Sequence, residues 1–214
     1  MTRQPITTCT RSRPYGDPRT HTAAEAFRRA DLAGLAIAPW TLRVGRESLT
    51  IRPSIQQDLV GVAQMHRRCS AQTLLDGYRL GGRPPSVVRI DSTLREPLAF
   101  VAHSALGAVV AIAFAARDPL HSPLSAAATV VVEDAWQGLG LGSELVSHLA
   151  GSALVCGYAE LIGYAGPGVM EVHRLMSGIG RTRAVTDEDG VHLHTALPEG
   201  AGLGIGAVRE RLAG

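Results

Sequence analysis

Aromatic residues are scarce in this chain, 4% of the total, so a core must be built mainly from Ala, Val, Leu and Ile. Cysteine is almost absent. Cys9, Cys69 and Cys156 are odd in number and widely spaced, and neither a zinc spacing nor a disulfide framework can be read from them; this favours a reducing compartment. No apolar run reaches the roughly 18–20 residues that span a bilayer, and the N-terminus carries no apolar signal core. The expectation is a cytoplasmic protein without a membrane partner. A strong charge of one sign is missing too. The net charge of +2 gives no footprint for nucleic acid, and much of the positive charge is N-terminal, in Arg3, Arg11, Arg13, Arg19, Arg28 and Arg29.

Its 214 residues and 45% apolar content suit one globular domain with extensions. Residues 1–20 are polar and interrupted by Pro5, Pro14 and Pro18, and read as disordered. A short helix over 22–35 starts at Thr22, and Pro39 ends it. The division is an extension over 1–47, flexible or partly helical, a folded domain over 48–199, and a Gly-rich tail over 200–214.

Within the domain, residues 48–52 alternate as a strand. Leu59, Val62, Ala63 and His66 recur at helical spacing, and Ser70 caps a second short helix over 70–78. Residues 81–85 are a loop. Strands over 98–104 and 109–117 form a hairpin about Gly107, and 126–133 is a buried strand. A glycine-rich turn leads into an amphipathic helix over 142–156, with Cys156 in the core. A strand over 159–165, a helix over 169–180 and two closing strands joined at Asp189-Gly190 complete the order β–α–α–β–β–β–α–β–α–β–β.

The chemistry concentrates in Gln137-Gly138-Leu139-Gly140-Leu141-Gly142, where a buried strand runs into a helix. Glycines allow a tight turn and close backbone approach. The first helical N–H groups have no internal partner, so they can hold a phosphate together with the helix dipole. The segment lacks the lysine of a Walker loop. It also fails the G-x-G-x-x-G spacing, because the last glycine would fall on Ser143 or Leu145. A dinucleotide fold would moreover place the loop after its first strand. The glycines at 202–206 lie too near the chain end for a following helix.

Gln137, Gly140 and Gly142 fill the fixed positions of the R/Q-x-x-G-x-G/A signature. The segment therefore resembles the GNAT acetyltransferases, and over about residues 48–197 the order of elements is similar to theirs. Within that superfamily the chain looks like the bacterial protein-lysine acetyltransferase branch. The resemblance implies an α/β fold with a mixed, mostly antiparallel sheet of six or seven strands, and acetyl-CoA as cosubstrate. It implies that the strand over 126–133 splays from that over 159–165 and that pantetheine pairs with Val130, Val131 and Val132. The pyrophosphate would lie on the backbone of Gly138, Leu139, Gly140, Leu141, Gly142 and Ser143. An amine, on a protein lysine or a small molecule, would attack the thioester directly. A homodimer is common in the family.

Three places depart from the family pattern. Ala127 stands where a glutamate base is common, and Arg174 where a tyrosine acid is common; Gly166-Pro167-Gly168 replaces a frequent asparagine. Candidate replacements are Glu133 at the strand end, and His103 and His121 on or after the hairpin strands, where an imidazole could accept a proton near neutral pH. His173 reads as a surface or packing residue. His192 and His194 share a strand face but lack an evident third ligand, so no metal is expected. An alternative reading is a degenerate acetyl-CoA-binding sensor or partner-binding module; a dehydrogenase with NAD on the loop is a third.

Overall fold

The computed structural model describes residues 39–78, 82–118, 121–165, 169–187 and 190–198. The segments read as disordered over 1–20, helical over 22–35 and Gly-rich over 200–214 lie outside these residues.

The described residues form one eight-stranded sheet flanked by five α-helices. In chain order the strands are β1 Trp40–Val44, β2 Glu47–Pro53, β3 Leu98–His103, β4 Val109–Arg117, β5 Ser125–Val132, β6 Glu160–Ala165, β7 Arg181–Asp187 and β8 Gly190–Ala196. The helices are α1 Leu59–Arg68, α2 Ala71–Tyr78, α3 Val87–Leu94, α4 Leu141–Val155 and α5 Val169–Ser177. Spatial order is β1-β2-β3-β4-β5-β6-β8-β7. Every junction is antiparallel except β5–β6, which is parallel.

Two elements go beyond the sequence reading, and the strand count rises from six or seven to eight. β1 lies within the segment assigned to the N-terminal extension. Trp40, Leu42 and Val44 all pack on the core, and β1 pairs with β2 along its whole length. α3 follows the 81–85 loop. Its N-cap Ser86 accepts a bond from the Arg89 N–H at 3.3 Å, and it buries Ile90 and Leu94 one turn apart.

Strand alternation divides the core between two faces. On one, Ala111, Ala113, Ala115 and Ala126 keep the sheet surface low, and Leu145, Leu149 and Ala153 of α4 fill the space above. Met176 of α5 and Cys156 belong to the same cluster. On the other face, Ile112 and Val131 meet Val62, Met65, Leu74, Tyr78, Ile90 and Leu94 from α1, α2 and α3. β3 and β4 are covered on both faces, which is why they read as continuous apolar runs. His66 sits inside the second cluster in a fully bonded pocket: Nδ1 is 2.8 Å from the Val62 carbonyl and Nε2 2.8 Å from the Tyr78 hydroxyl.

Candidate functional site

The site starts at a fork in the sheet. β5 pairs with β4 from Ala126 to Val132. Against β6 it pairs only from Ser125 to Ala128, the last pair being Ala128↔Gly163. β6 nevertheless stays paired with β8 through Ala165. From Thr129 onward, therefore, the side of β5 that faced β6 has lost its ladder partner. Such backbone groups need another partner or solvent, and Val130 and Val132 are only half-buried.

The glycine loop closes the open end of this fork. Gly138 and Gly140 have φ of 71° and 88°, a left-handed conformation that penalises any Cβ. Nothing lies within 4 Å of a Cβ built on either, so backbone conformation, not crowding, demands glycine here. Gly142 differs. A Cβ there would sit 3.7 Å from Leu175, an ordinary contact, so alanine fits, as the G/A of the signature allows. Gly140 is the N-cap of α4 and no side chain caps that helix. The N–H groups of Leu141, Gly142 and Ser143 thus begin the helix without intrahelical acceptors. Leu141 itself is fully buried and anchors the helix start in the core; Leu139 projects from the loop, 49% exposed.

Neighbouring polar groups hold the loop in place. Asp134, in the turn after β5, accepts bonds from the Ser70 N–H at 2.6 Å, the Ser70 hydroxyl at 2.9 Å and the Thr73 hydroxyl. Burial would raise its pKa, but the bonds from Thr73 and Ser70 together hold the carboxyl below its ordinary value. The Gln137 amide donates to Thr73 Oγ1 and to the Val132 carbonyl, both at 2.9 Å. The fixed glutamine of the signature thereby ties the strand end to α2. Asp134 and Thr73 were not singled out in the sequence, because their partnership spans more than sixty residues.

Between α2, the fork and α5 lies a cavity of about 640 Å³. It takes in Val130, Val131, Val132, Gln137, Gly138, Gly140, Gly142 and Ser143 among the expected cofactor residues; Leu139 and Leu141 are not in its wall. Arg174 and Glu171 of α5 also line it, so the position where a tyrosine was expected brings a guanidinium to the cavity.

The three candidate proton acceptors fall in three places. Glu133 is clasped by Arg68, with Nε 2.9 Å from Oε1 and Nη2 2.8 Å from Oε2. His103 lies on β3, two strands away from β5. Its Nε2 is 3.0 Å from Arg52 Nη2 and its Nδ1 3.2 Å from the Gly107 carbonyl. Arg52 in turn forms a paired contact with Asp58 at 2.8 and 2.6 Å. Burial would raise the Asp58 pKa, but Arg52 and the Ile55 N–H hold it below its ordinary value. His121 follows β4 beside Asp118, 3.0 Å from its carboxylate, and its ring lies 5.9 Å from that of His192 and 5.0 Å from that of His194. Ala127 lies between Ala116 of β4 and Ile162 of β6.

Comparison with known proteins agrees with the fold. No protein-family model and no curated protein matches the chain, but many solved structures do. The GNAT domain of S. lividans PAT superposes with a TM-score of 0.63 at 19% identity, covering 75% of this chain and 96% of that one. A phosphinothricin acetyltransferase of the GNAT superfamily from Sinorhizobium meliloti, in complex with AcCoA, gives 0.54 at 20% identity over 72% and 90%. A putative acetyltransferase from Salmonella typhimurium, with its cofactor acetyl-CoA, gives 0.53 at 20% identity over 72% and 96%. This chain has the fold of the GNAT acetyltransferases, and the protein-lysine branch is not singled out among them.

Proposed function

We propose that this protein is an acetyl-CoA-dependent N-acetyltransferase. The observation that carries the reading is the fork between β5 and β6 leading into a glycine loop at an uncapped helix N-terminus. The open edge of β5 at Thr129–Val132 suits the amides of pantetheine. The N–H groups of Gly138 to Ser143 suit a diphosphate, which needs donors and positive potential rather than a particular side chain. Two of the structural neighbours are described with acetyl-CoA, which supports the same ligand here.

An amine brought to the fork would attack the thioester carbonyl. Its proton would pass to solvent water as the carbon–nitrogen bond forms, and the carbon–sulfur bond would then break to release CoA thiolate, which takes up a proton from solvent. A backbone N–H near Val131–Val132 would stabilise the oxyanion. Arg174 in the cavity wall adds a positive charge to the site. Freeing a lysine-type amine of its proton at pH 7 costs about 4–5 kcal/mol, and a positioned base recovers roughly 10²–10⁴-fold in rate. Glu133 is committed to Arg68 and His103 to the Arg52–Asp58 pair. The reading therefore places most of the rate enhancement in positioning and electrostatics.

The same two commitments, with Ala127 and Arg174, favour the second reading, an acetyl-CoA-binding sensor without turnover. The two separate in one assay. The chain would be incubated with acetyl-CoA and a panel of lysine peptides, polyamines and aminoglycosides, following CoA release and acetyl-lysine formation. All 21 Lys+Arg residues of this chain are arginine, so any acetyl-lysine lies on the acceptor and self-modification cannot mimic it. We expect acetyl transfer to at least one amine class. Tight cofactor binding with no product from any amine would replace the enzyme with the sensor.

A further inference from the structure

His192 and His194 lie on one face of β8, and the structure supplies the third imidazole that the sequence did not reveal. His121 folds over them from the β4–β5 connection. One ring nitrogen from each of the three lies within 4.8 Å of the others. The side chains of His192 and His194 are 1% and 6% exposed, and that of His121 21%. We propose that His121, His192 and His194 form a binding site for a divalent transition-metal ion, zinc by its donor set, that pins the β4–β5 connection to β8.

Three observations carry this. The first is unmet polarity. His121 Nδ1, both nitrogens of His192 and His194 Nε2 are buried without a hydrogen-bond partner. A buried ring nitrogen left unpaired has lost its hydration without a compensating bond; with His121 Nδ1 and His192 Nε2 turned toward carboxylates, His192 Nδ1 and His194 Nε2 remain for a common partner. The second is the surrounding carboxylates. Asp118 Oδ2 lies 3.0 Å from His121 Nδ1, Asp187 Oδ1 3.3 Å from His192 Nε2 and Glu160 Oε2 3.2 Å from His194 Nδ1. The first two contacts are close but not aligned as hydrogen bonds. Each imidazole thus has an acidic neighbour able to orient it, the outer-shell arrangement that metal-bound histidines use. The third is spacing. Nitrogens bound to zinc at about 2.0–2.1 Å in tetrahedral geometry lie roughly 3.4 Å apart. A modest inward turn of the rings reaches this, and His121 lies on a connection rather than in a strand.

Arg183 Nη2 lies 3.5 Å from His194 Nδ1. Glu160, which accepts from Ser125 at 2.9 Å and faces both His194 and Arg183, offsets that arginine. Tyr164 bonds to Asp118 and pairs across the sheet with His192. It follows Gly163, the last β6 residue paired with β5. The ion would therefore sit beside the head of the fork, on the face opposite α4. Three imidazoles leave a fourth position for water, Asp118 or an approaching ligand. Nothing in this proposal depends on acetyl-CoA being the cosubstrate.

The experiment uses the purified full chain, stripped with a chelator and titrated with Zn²⁺ by calorimetry and with Co²⁺ by visible absorption. We expect one ion per chain at micromolar affinity or tighter, visible d–d bands of a low-coordinate Co²⁺ site, and a higher melting temperature with metal. His194→Gln and His121→Ala should each weaken binding at least 100-fold, and Asp118→Asn roughly 10–100-fold. His173→Gln, altering an exposed histidine of α5, should leave it unchanged. Because His194 is buried, circular dichroism checks its fold; the more exposed His121 decides if that variant fails. Absence of stoichiometric binding by the folded wild type, or full binding by His121→Ala, would overturn the proposal.

Discussion

At the scale of single residues, buried histidines give this protein an acid sensitivity whose sign is fixed. Burial lowers the pKa of His66 from 6.5 to about 4, against the opposing bond to Val62, and burial lowers that of His148 likewise to about 4. Both are neutral in the folded protein at pH 7 and regain an ordinary pKa on unfolding. Their contribution is complete above about pH 6.5 and is lost as pH falls toward 4, because the unfolded chain takes up protons the folded one refuses. At 1.36 kcal/mol per pKa unit, the fully buried His66 accounts for up to about 3 kcal/mol, and the half-buried His148 for less, because solvent screens it. His148 stacks on Trp40 at 3.9 Å and meets Phe100 edge-on at 4.9 Å, while its Nε2 has no partner. His148→Phe keeps the aromatic contacts and removes the orphan. We predict stability at pH 7 equal to or above that of the wild type, and a smaller loss between pH 7 and pH 5, read from urea midpoints at both values. An unchanged or larger acid loss would show that His148 is not buried in its neutral form. His66 is unsuitable for this test, since its removal strands the Tyr78 hydroxyl.

At the scale of elements, α2 and β5 approach so closely that only glycine fits between them. A Cβ on Gly77 would lie 2.6 Å from Val131 Cγ2. Gly77→Ala must push α2 off the strand that forms one wall of the fork, and overpacking of this kind costs about 1–3 kcal/mol. Val131→Ala removes the obstructing methyls. The double variant should therefore lose less stability than the two single changes summed, by about 1 kcal/mol or more in a urea-unfolding cycle. Strict additivity would mean that the contact is not tight. The elements also show what could be read from the chain. α4 was legible because its apolar spacing is regular and glycines mark its start. α3 was not, because its first turn presents exposed Val87 and Val88, β-branched residues that weaken a helical signal. β1 was hidden by Pro39, read there as a helix stop, although Trp40, Leu42 and Val44 alternate as a strand should.

At the scale of the whole molecule, the parts of the site specified by neighbouring residues could be read directly. Gln137 to Gly142 reads as a tight glycine turn opening a helix, and the structure puts a turn and a helix start there, with Gly138 and Gly140 left-handed. The parts assembled from distant residues could not. Asp134 on Ser70 and Thr73, Arg68 on Glu133, and His121 over His192 and His194 each depend on which strands become neighbours. The separation of β5 from β6 is likewise a property of pairing, visible only in register. Among the described residues no helix is long and apolar enough to cross a membrane.

The central claim is that the β5–β6 fork and its loop hold acetyl-CoA through backbone groups, and calorimetric titration of the full chain tests it most directly. The wild type, Gly140→Ala and Gly142→Ala would each be titrated with acetyl-CoA, CoA and NAD. The account predicts micromolar one-to-one binding of both CoA species and none of NAD. Gly140→Ala, forced onto a φ of 88°, should weaken acetyl-CoA binding at least tenfold, whereas Gly142→Ala, with its Cβ in ordinary contact, should stay within a few-fold of the wild type. Failure of the folded wild type to bind either CoA species, or binding indifferent to Gly140→Ala, would contradict it.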